Sequence, residues 1–531
     1  MKEILLFVVI ICIYFIPIVI YSLMAKWNKL EGSDHYFHSL LIQMIKTNKN
    51  RFITSYSNIL GENRFAYPQL LHWVLAKFQN ISFRKAGSLI MLFNGFASAV
   101  VHFTSYVIIV PYLNSDISLS YGLFWSSLIY VSFPFNYNSF NAKNVGISAR
   151  GIGVWLAQIY LTFLIAYKLS GHWEFLFYAA VAGGIIVMIN IFALQFILIG
   201  TPIFALFIGD LGIIIALIGS LAFFFILSPK VALNYFQGQL IHKNLYSKYL
   251  AKVFILKHRK SIWLDFVLEF PKRCFWLIAD FKKNENQISY IWQNSVVVFF
   301  IQMTASFLVL FYIDFDCFFE AHDGHSVAGM AILTCVVIFI LTTFKISRFL
   351  GEPERYVELG FCIVSIILAI NGSLTLFIVL ISFNIVINFL QLFLFKNHNQ
   401  NNGASASEIG NIRQALTKRS ESEDIRLLIP NTSERRKLCS VKYKQADWGF
   451  YSYSVGGIHI SKLFENGYNE FNEEVLPDLI NNLNLSHMVV NNSNKYLLTK
   501  LGKDGFKFDH FFSGDSLHIY SISRKNDRPN Q

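Results

Sequence analysis

Apolar runs of about twenty residues recur in this chain from its first residues to about residue 395, and that repetition excludes most folds. A run of that length crosses the ~30 Å hydrocarbon core of a bilayer as one α-helix. The helix satisfies its own backbone N–H and C=O groups where water is absent. Residues 4–24 form the first such run. They are longer than the core of a secretory signal and no small-residue cleavage site follows, so they are expected to stay as a span. Further spans are expected at roughly 87–110, 118–135, 152–169, 173–190, 191–208, 211–228, 294–313, 326–344, 358–372 and 374–395, about eleven in all. With 54% hydrophobic and 15% charged residues, the chain reads as mainly α, a polytopic helical membrane protein.

From residue 396 the texture changes. Residues 396–423 are polar and low in complexity at their start, and read as a linker. Beyond them, strands are expected at 425–429, 486–490 and 516–521, with helices at 473–483 and 493–501. That alternation predicts a small soluble α/β domain over 424–531, after a membrane domain over 1–395. An odd number of spans puts this domain on the same side as segments 25–86, 136–151, 229–293 and 345–357. Those four segments hold most of the Lys and Arg between spans, whereas 111–117 and 314–325 hold none. Taken alone, the positive-inside rule assigns the four basic segments to the cytoplasm.

The charge and cysteine patterns remove several function classes. A net charge of +12 fits nucleic acid in principle, but its basic residues lie between spans and fit lipid headgroups or a lipid phosphate better. The six cysteines show no CxxC spacing and point to neither a zinc site nor a disulfide framework. There is no P-loop, and no soluble Rossmann domain with a DxD signature.

The polar residues worth chemical attention lie in the same-side segments. Glu31-Gly-Ser-Asp34-His35-Tyr-Phe-His38 follows the first span. Phe37, Leu40, Leu41, Met44 and Ile45 then repeat at helical period, so Ser33 or Asp34 stands where an N-cap belongs on an interfacial helix. Asp34 is either that cap or a catalytic carboxylate. A second interfacial helix follows Tyr67-Pro68-Gln-Leu-Leu-His72 in the same loop. Lys143 and Arg150 stand at the start of a later span, within Ser148-Ala-Arg150-Gly-Ile-Gly153. Gly351-Glu352-Pro353-Glu354-Arg355-Tyr356 lies between two late spans. Its bland reading is a helix start with internal ion pairs, just as Lys345 and Arg348 read as snorkelling flanks.

Taken together and in this order, these motifs resemble the GT-C superfamily of polytopic glycosyltransferases, in layout over most of 1–395 and in motif over some forty residues. The resemblance implies a sugar donor carried on a polyprenyl phosphate or diphosphate. It implies a membrane lipid environment and a glycan, lipid or protein acceptor. Asp34 takes the position of the catalytic carboxylate, with Glu31 as the weaker candidate. His35, His38, His72, Lys143, Arg150, Glu352, Glu354, Arg355 and Tyr356 become candidate substrate contacts, the arginines for phosphate oxygens. Many members carry an adjacent acidic pair where Asp34 has Ser33 and His35. No cofactor is called for; a divalent cation stays open, since the superfamily varies in this respect. The resemblance also implies a plasma-membrane enzyme whose site and C-terminal domain are non-cytoplasmic, against the charge rule. We follow the resemblance, because long loops obey that rule poorly and a lipid-phosphate site needs cations. A transporter or flippase of lipid-linked sugars, and a non-catalytic membrane scaffold, remain the alternatives.

Overall fold

The computed structural model describes residues 2–27, 33–55, 58–61, 66–78, 83–113, 117–137, 147–245, 262–279, 294–313, 323–344, 347, 350–398, 406–446, 453–465 and 470–524. The chain is mainly helical and divides into two compact units, each discontinuous in sequence. One comprises Met1–Asn28, Arg84–Pro229 and Arg259–His398; the other comprises Lys29–Phe83, Lys230–His258 and Asn399–Gln531.

The first unit holds the apolar helices. Of the elements discussed below, α1 is Lys2–Trp27, α4 Phe83–Ile109, α5 Leu119–Ser132, α6 Arg150–Ser170, α7 Glu174–Ile189 and α8 Ile191–Phe207. Among the described residues, five helices in this unit are long and apolar enough to cross a membrane: Glu3–Lys26, Lys85–Tyr112, Arg150–Ser170, Gly324–Thr343 and Leu374–Phe393. The pair Ser295–Gln302 and Thr304–Tyr312 makes a sixth if its 82° bend lies within one span. The chain is therefore a multi-pass membrane protein. Each of the eleven expected segments contains helix, but several helices, among them α7 and α8, are shorter than a full span. Along α1, Ile4, Leu5, Phe7, Phe15 and Val19 are exposed, as a lipid-facing surface requires.

Among the described residues, the second unit is built on a six-stranded mixed sheet. Its strands are β1 (Ile59–Leu60), β2 (Arg426–Leu428), β3 (Lys444–Ala446), β6 (His487–Asn491), β7 (Phe506–Ser513) and β8 (Leu517–Arg524), in spatial order β1-β3-β2-β6-β8-β7. β4 (Ser454–Val455) and β5 (Ile458–His459) pair separately. β1, β3, β2 and β6 run parallel; β8 is antiparallel to β6 and β7. The three expected strands are β2, β6 and β8. Leu428, Leu463, Leu476, Leu479, Met488 and Leu497 fill the core between sheet and helices.

β1 comes from the first polar loop. Ile59 pairs with Gln445, the Gln445 N–H donates to Asn58 O at 3.0 Å, and Asn58 Nδ2 donates to Ser440 O at 2.6 Å. The loop therefore shares a sheet with the C-terminal domain. The helix Pro229–Leu245 joins them: Gln239 Nε2 donates to Ala66 O at 3.2 Å, and Ile241 packs on the sheet core. These associations depart from the division expected at residue 395. The segment expected as a linker, 396–423, is also different. The helix Ala406–Ser420 buries Ile409, Ile412 and Leu416, and its Glu408 accepts from Ser516 N, Ser516 Oγ and Leu517 N at 2.6, 2.8 and 2.9 Å.

Candidate functional site

In the second unit, α2 (Ser33–Thr47) opens where the sequence predicts. Asp34 lies in its first turn, while Glu31 and the Asp34 side chain fall outside the described residues. The expected interfacial helix differs in kind. A helix on a bilayer surface keeps its polar face wet, yet α2 buries His35, His38 and Ser39 as well as Leu40, Leu41 and Ile45. It packs on α3 (Leu70–Ala76) and on the helix Thr432–Lys437, with the Arg413 guanidinium 4.6 Å from the Tyr36 ring centroid. With Ile42 also buried, four aliphatic side chains at about 1.5–3 kcal/mol each outweigh the cost of burying hydrogen-bonded polar ones.

Two of the predicted residues meet here. His38 Nδ1 lies 2.8 Å from His72 Nε2, their rings stack with centroids 5.0 Å apart, and Tyr67 edges against both. The bond requires one nitrogen to carry a proton and the other a lone pair. Burial, and next to it His38, hold the His72 pKa well below 6.5, with the Pro68 backbone opposing in part. His72 is wholly buried and His38 nearly so, which makes the pair a structural clasp between α2 and α3.

A second cluster is contained in the first unit. Arg150 opens α6, and Phe192 follows the Asn190 cap at the break between α7 and α8. The Arg355 guanidinium lies 4.0 Å from the Phe192 ring centroid and that of Arg150 lies 5.9 Å from it. Arg355 also pairs with Glu352. Arg150, Phe192 and Arg355, with Asn190, Tyr356 and Glu358, line a cavity whose space, together with the solvent at its mouth, comes to roughly 280 Å3. Tyr356 is buried, and its hydroxyl, 2.9 Å from Leu350 O and 3.0 Å from Gln195 Oε1, fixes the loop to α8. Glu354 is buried, with one carboxylate oxygen lacking a hydrogen-bond partner among the described residues.

The glycines in these motifs have spatial reasons. A Cβ at Gly153 would stand 2.5 Å from Asn190 Cβ, so only glycine lets α6 approach the α7–α8 break, where Asn190 Nδ2 donates to Ala149 O at 3.2 Å. Gly351 has φ +95°, and a Cβ there would stand 2.8 Å from the Phe192 ring.

No family model and no curated protein matches the sequence. Solved structures do. ArnT from Cupriavidus metallidurans bound to undecaprenyl phosphate superposes with a TM-score of 0.56 at 9% identity, over 97% of each chain. The oligosaccharyltransferase of Archaeoglobus fulgidus, tethered with an acceptor peptide, gives 0.55 at 10% identity over 97% of this chain and 75% of its own. The same enzyme in complex with zinc and sulfate gives 0.53 at 11% identity, over 98% and 74%. The chain shares the fold of these two enzymes.

Within that fold, sequence reasoning named Arg150, Glu352, Arg355 and Tyr356, which come together, and His38 and His72, which form a separate pair. His35 is buried against Tyr36. Lys143, Lys345 and Arg348 lie outside the described residues. Sequence reasoning missed Asn190 and Phe192. Asn190 carried a signal, being a lone amide between two apolar runs; Phe192 carried none. Among the described residues, no three metal-ligating side chains come together.

Proposed function

We propose that this chain is an integral-membrane glycosyltransferase, moving a sugar from a polyprenyl-phosphate carrier to an acceptor hydroxyl on the non-cytoplasmic face. The observation that carries the reading is the pair of guanidinium groups, Arg150 and Arg355, 5.9 and 4.0 Å from the Phe192 ring centroid, in a chain with this fold. A guanidinium fork matches phosphate oxygens. The ring beneath and Glu352 beside it hold Arg355 in place before a ligand arrives.

In the reaction, the acceptor hydroxyl gives its proton to Asp34 as its oxygen bonds to the anomeric carbon. The bond from that carbon to the phosphate oxygen breaks, and its electron pair stays on the phosphate. Arg150 and Arg355 stabilise the charge that develops there. Undecaprenyl phosphate bound to ArnT, and an acceptor peptide on the oligosaccharyltransferase, are consistent with a lipid-linked donor and an acceptor.

The test uses the full chain in nanodiscs with a panel of radiolabelled polyprenyl-phosphate sugars. Turnover of one donor, lost in Asp34→Asn with donor affinity retained, supports the reading. Donor binding without turnover, unchanged by Asp34→Asn, favours transport; failure to bind any donor rejects the assignment.

A further inference from the structure

We infer that a second cavity, enclosed by α1, α4, α5 and α6, receives the donor's sugar and selects a neutral one; this rests on the polyprenyl-phosphate reading above. The space between its lining atoms, together with the solvent at its mouth, comes to roughly 460 Å3. Its lining includes Tyr21, Asn94, Tyr130, Asn136, Trp155 and Gln158, and no charged side chain. Val154 lines both this cavity and that of Arg150 and Arg355, so the two share a wall on α6.

The polar groups in it are of two kinds. Gln158 is committed: its Nε2 donates to Glu358 O at 3.0 Å, and its Oε1 accepts from Tyr130 at 3.2 Å and from the Cys362 thiol at 3.1 Å. Asn94 Oδ1 and Trp155 Nε1 are buried and have no partner among the described residues. Asn94 is 6% exposed, and its amide rests where a Cβ of Gly151 would stand. Buried polar atoms find partners as a rule, and more strictly in a membrane protein. One acceptor and one donor beside aromatic faces suit a pyranose, whose hydroxyls both donate and accept and whose C–H faces pack on rings. An amino sugar or uronate would bring its charge into a lining that holds no counter-charge.

The experiment measures affinities of full-length protein in nanodiscs for bare decaprenyl phosphate and for its mannosyl, glucuronosyl and 4-amino-4-deoxyarabinosyl forms. The mannosyl lipid is expected to bind more tightly than bare lipid, and the charged forms no better than bare lipid. Trp155→Phe keeps the ring and removes the N–H. It is expected to weaken the mannosyl lipid by about fivefold while leaving bare lipid unchanged. Asn94→Ala is expected to act alike and serves as the second variant. Charged forms that bind as well as the mannosyl form, or variants that bind every lipid as wild type does, overturn the inference while sparing the donor reading; the second outcome assigns the cavity to water. Failure of wild type to bind bare decaprenyl phosphate rejects the donor reading, and this inference with it.

Discussion

Gly351→Ala tests whether Phe192 positions Arg355, the cation proposed above to meet the donor phosphate. The new methyl group would stand 2.8 Å from Phe192 Cε1, and its backbone would remain at φ +95°. Holding a non-glycine residue at such a φ costs about 1–3 kcal/mol. The ring must also yield, and with it goes the cation–π contact to Arg355, whose side chain is 13% exposed and whose guanidinium is 4.0 Å from the ring. A partly desolvated contact of this kind is worth about 1 kcal/mol. The two costs separate by assay. Backbone strain lowers the temperature of thermal inactivation, whereas misplacement of Arg355 lowers decaprenyl-phosphate affinity by about fivefold. Phe192→Leu alone should give the same affinity loss without the strain. In the double variant the second substitution should cost little further affinity, since both act through one ring. Unchanged affinity in Gly351→Ala, or fully additive losses in the double variant, would refute the role given to Phe192.

Two further predictions concern the second unit. Because burial and His38 depress the His72 pKa, an unfolded chain takes up a proton near pH 6.5 that the folded one refuses. The contribution is absent above that pH, and stability falls below it by about 1.4 kcal/mol per pH unit down to the folded pKa. Limited proteolysis between pH 7 and 5 should show this slope flattened in His72→Gln; an equal slope in both proteins refutes it. Glu408→Ala strips the acceptor from two backbone N–H groups and the Ser516 hydroxyl, and should destabilise the sheet unit by about 1–3 kcal/mol, read by chemical unfolding in detergent. An effect below half that range would mean that solvent replaces the carboxylate.

What the sequence disclosed followed from pattern strength. Long apolar runs and the β-branched segments around β2, β6 and β8 carry their own periodicity. β1 carries none. Two residues cannot declare a strand, and Ile59 pairs with Gln445, far along the chain. β3 hides for a related reason, since its central Gln445 is polar yet 1% exposed. The stripe on α2 was plain, but a stripe fits a bilayer surface and a protein core equally; burial of His35, His38 and Ser39 decides for the core. Ile409, Ile412 and Leu416 have helical spacing, outweighed in the sequence by the Asn- and Ser-rich residues ahead of them. At the site, Arg150 and Arg355 stood out as cations beside spans, whereas Phe192 in an apolar run looks like any lipid-facing side chain.

The path of the chain through the membrane follows from helix directions better than from helix lengths. At 14 residues α5 spans only about 21 Å, short of the hydrocarbon core. Yet α4 and α6 run parallel: Asn94 lies against Gly151, and Ser105 Oγ is 2.7 Å from Thr162 Oγ1, eleven residues further along each helix. If both cross, the chain must return between them, and α5 is the element that returns it. α7 lies antiparallel to α6, with Phe163 facing Phe175 and Tyr178, Tyr160 beside Gly183, and Gly153 beside Asn190. It retraces α6 from end to end despite having 16 residues. His172, in the turn between α6 and α7, therefore belongs on the membrane side opposite the first polar loop. In a cysteine-free background, His172→Cys and Arg51→Cys should react with a membrane-impermeant maleimide from opposite faces of sealed, oriented vesicles. Labelling from one face would mean that α5 turns back within the bilayer. The parallel pairing of α4 and α6 would then have to describe a helix pair of which only one member crosses.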